Sequence, residues 1–199
     1  MSNQKTLVNQ TLNDWTNAGK QVFPRGSSKP DHRTPHELFK YMDEEVGGFD
    51  LDAAASIENH LCEKYFTEED DGLEQYWGSG KAWCNPPYHE WGKWAAKAFH
   101  EVTDGFLDEA WLLIPARTDT KAFHDYVWGR ATEVRFIKGR LKFTGPHELK
   151  KNASATFPSV LVKFTSTSGY HELIVKTCDK TGKPHEPMPG QHDTLWGNK

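Results

Sequence analysis

Asn85-Pro86-Pro87-Tyr88 is the stretch of this chain whose residue types are best suited to chemistry. Its two prolines fix the backbone and remove two amides, so the carbonyls of the turn can point outward as acceptors. Asn85 adds a side-chain acceptor and Tyr88 an aromatic face. Two acceptors and a stacking ring suit a planar exocyclic amine. On a purine such an amine is a poor nucleophile, because its lone pair is delocalised into the ring. Hydrogen bonds from its two protons to the Asn85 side-chain oxygen and the Pro86 carbonyl favour a pyramidal nitrogen whose lone pair can attack. Acceptors aimed at developing positive charge are the mirror image of an oxyanion hole. A carbon electrophile held in line completes a direct displacement, and positioning supplies much of the acceleration. The bland alternative is a proline turn with no chemistry, and the surrounding elements speak against it.

Lys81 to Cys84 is a brief strand running into the motif, and Trp91, Trp94, Ala95 and Ala98 mark a helix after it by their i, i+3, i+4, i+7 spacing. In an open α/β sheet this puts the motif at the carboxyl edge, where ligands bind. Upstream, Thr34-Pro35-His36-Glu37 reads as a capping box with Thr34 accepting and Glu37 reaching back. Leu38, Phe39, Met42 and Val46 give that helix an apolar stripe, and Gly47-Gly48 stops it. Phe49 to Ala55 is a short run ending in carboxylates and small residues, followed by a helix-like Ser56 to Cys62. Ala110 to Ile114 is a continuous apolar strand. Thr118-Asp119 opens a helix carrying Phe123 and Val127, and Val134–Ile137 and Val160–Phe164 are the last strands. Strands alternating with helices predict an α/β layered fold. Residues 1–33 read as an arm, 34–164 as the domain, and 165–199, polar and rich in Gly and Pro, as irregular chain.

At 199 residues one domain is the expectation, and a mean hydropathy of −0.76 indicates one core carrying polar segments. No stretch has the ~18 apolar residues of a membrane span, and the polar start is no signal peptide. Three cysteines, Cys62, Cys84 and Cys178, make no disulfide framework, which points to a reducing cytoplasm.

Four stretches together resemble the phage-type DNA N-6-adenine methyltransferases, an S-adenosylmethionine-dependent family. They are Thr34-Pro35-x-x-Leu38-Phe39, Phe49 to Ser56 with Asn59, Trp77 to Tyr88, and Leu113 to Thr120. Phe136-x-x-Gly139-Arg140-Leu141-x-Phe143 and Phe157-Pro158-Ser159-Val160 continue the likeness, which covers about Thr34 to Phe164. The resemblance implies a Rossmann-like class I methyltransferase fold, with a mixed, mostly parallel sheet and helices on both faces. It implies cofactor binding at Thr34, Pro35, the Asp50/Asp52 strand end and Asn85, and a flipped adenine lying on Tyr88. Asn85, Pro86, Pro87 and Tyr88 form the implied catalytic set. Where methyltransferases normally carry a Gly-rich turn this chain has Ala53-Ala54-Ala55, which disfavours positive φ and makes Ala53 a less secure cofactor contact than Asp52. Either Asp50 or Asp52 would receive the cofactor's ammonium or ribose hydroxyls, with Asp70 or Asp71 as later candidates for its adenine.

The net charge of −4 hides polarity. Asp43 to Asp71 holds eleven acidic residues against Lys64 alone, while Gly129 to Lys151 holds seven basic residues against Glu133 and Glu148. Two solvated faces would look like this, and so would a nucleic-acid footprint. Arg117, Arg140, Lys142, Lys150 and Lys151 are the candidate phosphate contacts on DNA, the expected partner. Only ~33 residues separate Asp52 from Asn85, too few for a recognition domain. Sequence reading therefore falls to the N-terminal arm, the 138–157 loop or the tail. A covalent route through Cys84 lacks a placed base, and its bland reading is a buried strand cysteine. His171, Cys178, His185 and His192 lack the paired short spacings of zinc sites, so no metal is expected. Trp77, Trp83, Trp91 and Trp94 are expected mostly in the core. The rival readings are methyl transfer to RNA adenine or protein glutamine, and a non-catalytic protein binding DNA or host factors.

Overall fold

The computed structural model describes residues 32–143, 154–168 and 172–186. In chain order the elements are α1 (His36–Val46), β1 (Leu51–Asp52), β2 (Lys64–Tyr65), β3 (Lys81–Cys84), α2 (Trp91–Thr103), β4 (Glu109–Pro115), a π-helical segment (Phe123–Trp128), β5 (Glu133–Ile137), β6 (Ser159–Thr165) and β7 (Ile174–Cys178). The strands form one sheet in the order β2-β1-β3-β4-β6-β5-β7. β6 is antiparallel to both its neighbours and every other pairing is parallel, so six of the seven strands run one way. The mixed, mostly parallel α/β sheet expected from the sequence is present.

Alternation along the strands sends side chains to two cores. Ala82 and Cys84 of β3, Ala110, Leu112 and Ile114 of β4, and Val160, Val162 and Phe164 of β6 pack beneath α2 and the π-helical segment. Trp83, Trp111, Leu113 and Leu161 point the other way, against Leu38, Phe39 and Met42 of α1. Helices therefore cover both faces. Leu38 and Met42 are fully buried, each worth ~1.5–3 kcal/mol of hydrophobic stabilisation. Helix α1 ends as predicted: Gly47 turns left-handed at φ 79°, and Gly48 N donates to the Asp43 carbonyl at 2.8 Å.

Local expectations fail at four places. Helix α1 begins at His36 with no side-chain cap, so the predicted capping box does not form; the Thr34 hydroxyl is engaged elsewhere. Residues 56–62 are turns and bends rather than helix, because Asp52 Oδ2 takes the Leu61 amide at 3.1 Å and the chain continues into β2. The helix after β4 opens one turn later than predicted, with Thr120 Oγ1 accepting from Phe123 N at 3.3 Å. Ile174–Cys178, placed by the sequence in an irregular tail, is β7, paired parallel to β5 with Val134 opposite Val175.

The connections place the site. From β1 the chain steps outward to β2, then crosses back to the far side of β1 for β3 and continues outward to β4. The direction of winding reverses between β1 and β3, and in such sheets the crevice lies beyond the carboxyl ends of those strands. Asp52 and Asn85 stand at those two ends. The ends of β4 and β5 and the start of β6 share that edge, which brings Arg117, Arg140 and Ser159 to it.

Candidate active site

Asn85 follows β3 directly, and its amide is anchored at one end only. Nδ2 donates to the His32 carbonyl at 2.6 Å and to Thr34 Oγ1 at 3.1 Å. Oδ1 is buried with no partner among the described residues. Buried polar atoms are nearly always bonded, so this orphan acceptor at the sheet's carboxyl edge stands out as able to take a donor. The neighbouring turn adds a second acceptor. The Pro87 carbonyl accepts from Glu90 N at 2.9 Å, whereas no amide among the described residues reaches the Pro86 carbonyl.

Tyr88 sits in an aromatic cluster. Its ring is half-buried and meets His32, Phe157 and Phe143 edge-on, at centroid separations of 5.2, 5.0 and 5.8 Å. His32 in turn stacks on Phe157, with 12° between the planes. The four rings form one cluster, packed in the edge-to-face and stacked arrangements that aromatic groups prefer. The Tyr88 hydroxyl and Ser159 Oγ are buried side by side, and Ser159 is the hydrogen-bonding neighbour of that hydroxyl. Burial also raises the Tyr88 pKa. His32 carries no sequence signal for this role. Phe143 and Phe157 lie in the stretches that resemble the family, but nothing in their spacing shows that they meet.

Asp52 ends β1 and is 3% exposed. Its oxygens accept from Ala54 N at 3.4 Å and Leu61 N at 3.1 Å. Burial outweighs those two bonds and raises its pKa to about 6. No cation among the described residues pairs with it; His60 contributes only its field. Asp50 is exposed at the opposite end of β1, where Oδ2 accepts from Lys81 N at 2.8 Å. Asp50 therefore braces the start of β3 and stands away from the crevice. The Ala53 side chain is fully buried in the core, and its amide donates to the Trp83 carbonyl at 2.9 Å. No alanine of this turn needs positive φ: Ala55 N simply continues the sheet, donating to the Phe66 carbonyl at 2.8 Å. A Cβ on Gly72 would lie 2.4 Å from the Ala53 carbonyl, so close packing on the turn is allowed by Gly72 instead. The Pro35 carbonyl is spent on Leu38 N and Phe39 N at the start of α1. Asp70 is held by Thr67 on the surface.

The basic segment divides in two. Arg140 and Lys142 are exposed just past β5, and Arg117 is half-buried past β4; Lys150 and Lys151 lie outside the described residues. Arg135 is buried, bonded to Glu133 at 2.6 Å and Glu45 at 2.8 Å, while Arg130 lies over the Phe99 ring at 4.8 Å. Those two serve the fold. Cys84 is fully buried on the α2 side, and burial together with the Asp52 charge pushes its thiol well up, the opposite of an activated nucleophile. Trp77, Trp83, Trp91 and Trp94 are all buried. Cys178 is buried and His185 bonds Thr177 at 3.2 Å. His171 and His192 lie outside the described residues. Among the described residues no group of three or more His, Cys, Asp or Glu is placed to hold a metal, and no helix is long and apolar enough to cross a membrane.

Residues 25–184 match the family model described as DNA N-6-adenine-methyltransferase (Dam). A protein of Escherichia phage T1 named DNA N-6-adenine-methyltransferase is 35% identical over 123 residues, covering 59% of this chain and 50% of that relative. The chain thus spans about half the relative's length. With a match running from before α1 to beyond β7, and with its Asn-Pro-Pro-Tyr corner at the carboxyl edge of an α/β sheet, this chain belongs to the DNA N-6-adenine-methyltransferase family.

Proposed function

We propose that this chain methylates the exocyclic amine of adenine in DNA by direct displacement, on a class I methyltransferase sheet, with the target base flipped from the stack. The observation that carries the reading is the Asn85 amide, held by its nitrogen with Oδ1 buried and unpartnered. That oxygen and the Pro86 carbonyl each accept one proton of the amine. Its lone pair is then drawn out of the ring and toward the electrophile. The surplus proton leaves to water once the new N–C bond has formed. When bound, S-adenosylmethionine supplies an activated methyl carbon whose bond to sulfur breaks with the electron pair retained by sulfur.

Asp52 fits that cofactor. It is a buried carboxylate without a cation, which is costly alone and relieved by an ammonium or by hydroxyl donors. Asp50 and Ala53, with their polar groups spent elsewhere, are left out of the cofactor set. Arg140, Lys142 and Arg117 share the site's edge and are suited to DNA phosphates. A base stacked on Tyr88 would have His32, Phe143 and Phe157 as its aromatic neighbours.

The test is transfer of a tritiated methyl group from S-adenosylmethionine to duplex DNA, RNA and protein in parallel, with calorimetry of cofactor binding. Label in DNA adenine, lost in Asn85→Ala, is the expected result. Label in RNA or protein alone, or no cofactor binding, would overturn it. A non-catalytic binder would take up DNA without the cofactor, and the calorimetry separates the two.

A further inference from the structure

We propose that Thr34 is a positioning residue whose hydroxyl, together with the His32 carbonyl, fixes which way round the Asn85 amide stands. The proposal rests on the methyl-transfer reading above, because it concerns the acceptor that reading uses.

The two ends of a primary amide are chemically opposite: the nitrogen only donates and the oxygen only accepts. The end of Asn85 that lies 2.6 Å from the His32 carbonyl must be the nitrogen, because a carbonyl has no proton to give. The second Nδ2 proton goes to Thr34 Oγ1 at 3.1 Å. The same hydroxyl oxygen accepts from Trp83 Nε1 at 3.4 Å, so both its lone pairs are engaged. Both protons of the amide are thereby consumed on one side, and Oδ1 is left buried and unpartnered on the other. Rotation of the amide by half a turn would set its oxygen against the His32 carbonyl and present donors to an amine that must itself donate. Such a site could not grip the amine.

A second, independent observation agrees. Thr34-Pro35-His36-Glu37 is the local signature of a helix cap, yet α1 has no side-chain cap. Thr34 is 6% exposed, and its oxygen is directed into the site rather than at the helix amides. The tertiary bond to Asn85 has displaced the local one, and the residue acts through Asn85.

Thr34→Val keeps the shape and removes the acceptor, while Thr34→Ser keeps the oxygen. Steady-state methylation, cofactor calorimetry and exchange of the Asn85 side-chain amide protons by NMR form the test. Thr34→Val is expected to lower kcat at least tenfold, with KM for DNA and Kd for S-adenosylmethionine within twofold. Its Asn85 amide protons should exchange at least tenfold faster than in the unsubstituted chain, and Thr34→Ser should stay within threefold throughout. Thr34→Val with full kcat, or with weakened cofactor binding at unchanged kcat, would overturn the proposal; the second outcome would make Thr34 a cofactor ligand. Should Thr34→Val not fold, the unsubstituted chain and Thr34→Ser decide: slow exchange in both is expected, and fast exchange in the unsubstituted chain overturns it. Slow exchange without any methyl transfer would refute the functional reading while leaving the anchoring of the amide intact.

Discussion

The Asn85 side chain donates to the His32 carbonyl across 2.6 Å, joining two residues 53 positions apart in sequence. The segment before α1 is therefore part of the corner that presents Oδ1. The Asn85 backbone follows β3, but the direction its amide faces is set by the chain ahead of the first helix.

Replacing Asn85 by Ala removes the acceptor and leaves both anchors in place. Loss of one preorganised electrostatic partner costs ~10²–10³ in turnover, and methylation should fall at least that far. Cofactor affinity should stay within a few-fold by calorimetry. Unchanged turnover would remove Asn85 from the chemistry.

Asp52 gives a pH signature of definite sign. Its folded-state pKa of about 6 lies above the ordinary 3.8, so between those values the folded chain binds more protons than the unfolded one. Stability therefore falls as pH rises through that window. Asp52→Asn removes a penalty of up to ~3 kcal/mol, less ~1 kcal/mol for weakened bonds to Ala54 and Leu61. Denaturant melts should show the variant more stable at pH 7.5, with the advantage gone near pH 4. A variant less stable at pH 7.5 would contradict this.

The same carboxylate should govern the cofactor. Affinity for S-adenosylmethionine is expected to weaken about tenfold per pH unit below about 6, as Asp52 becomes protonated. Asp52→Asn should bind weakly at every pH. Calorimetry from pH 5 to 8 reads both, and a flat profile would place the ammonium elsewhere.

Tyr88 separates ring from hydroxyl. Its oxygen is buried beside the Ser159 hydroxyl, and a hydrogen bond of this kind contributes ~0.5–1.5 kcal/mol. Tyr88→Phe should lose no more than ~1.5 kcal/mol of stability and keep turnover within threefold. Tyr88→Ala should weaken capture of a fluorescent base analogue in DNA more than it weakens cofactor binding. A loss of turnover in Tyr88→Phe well beyond threefold would give the hydroxyl a part in the chemistry.

Arg140 and Lys142 are exposed on the edge that carries Asn85. Each Ala substitution should weaken DNA binding equally across sequences and lower the slope of log affinity against log salt by ~1. Arg130→Ala, which loses its place over Phe99, should leave that slope unchanged.

What could be read in the sequence was whatever packing decides locally. Strands β3 and β4 and helix α2 show in their apolar runs and spacing, because each buries a face the periodicity reveals. Strand β7 does not, because it is an edge whose Ile174 and Val175 face solvent and whose neighbours are polar. The Thr34 cap and the helix at 56–62 were locally sound expectations overruled by long-range bonds, to Asn85 and Asp52 respectively. The aromatic cluster around Tyr88 draws from three other segments, and no pattern in one dimension brings them together. The turn after β3 was legible, because an asparagine and two prolines at the end of an apolar strand cannot continue it.

The most direct measurement is nucleoside mass spectrometry of unmethylated genomic DNA after incubation with S-adenosylmethionine and either the unsubstituted chain or Asn85→Ala. N6-methyladenine should appear with the first and be absent with the second. Equal N6-methyladenine from both, or none from a chain that binds the cofactor and DNA, would contradict the account.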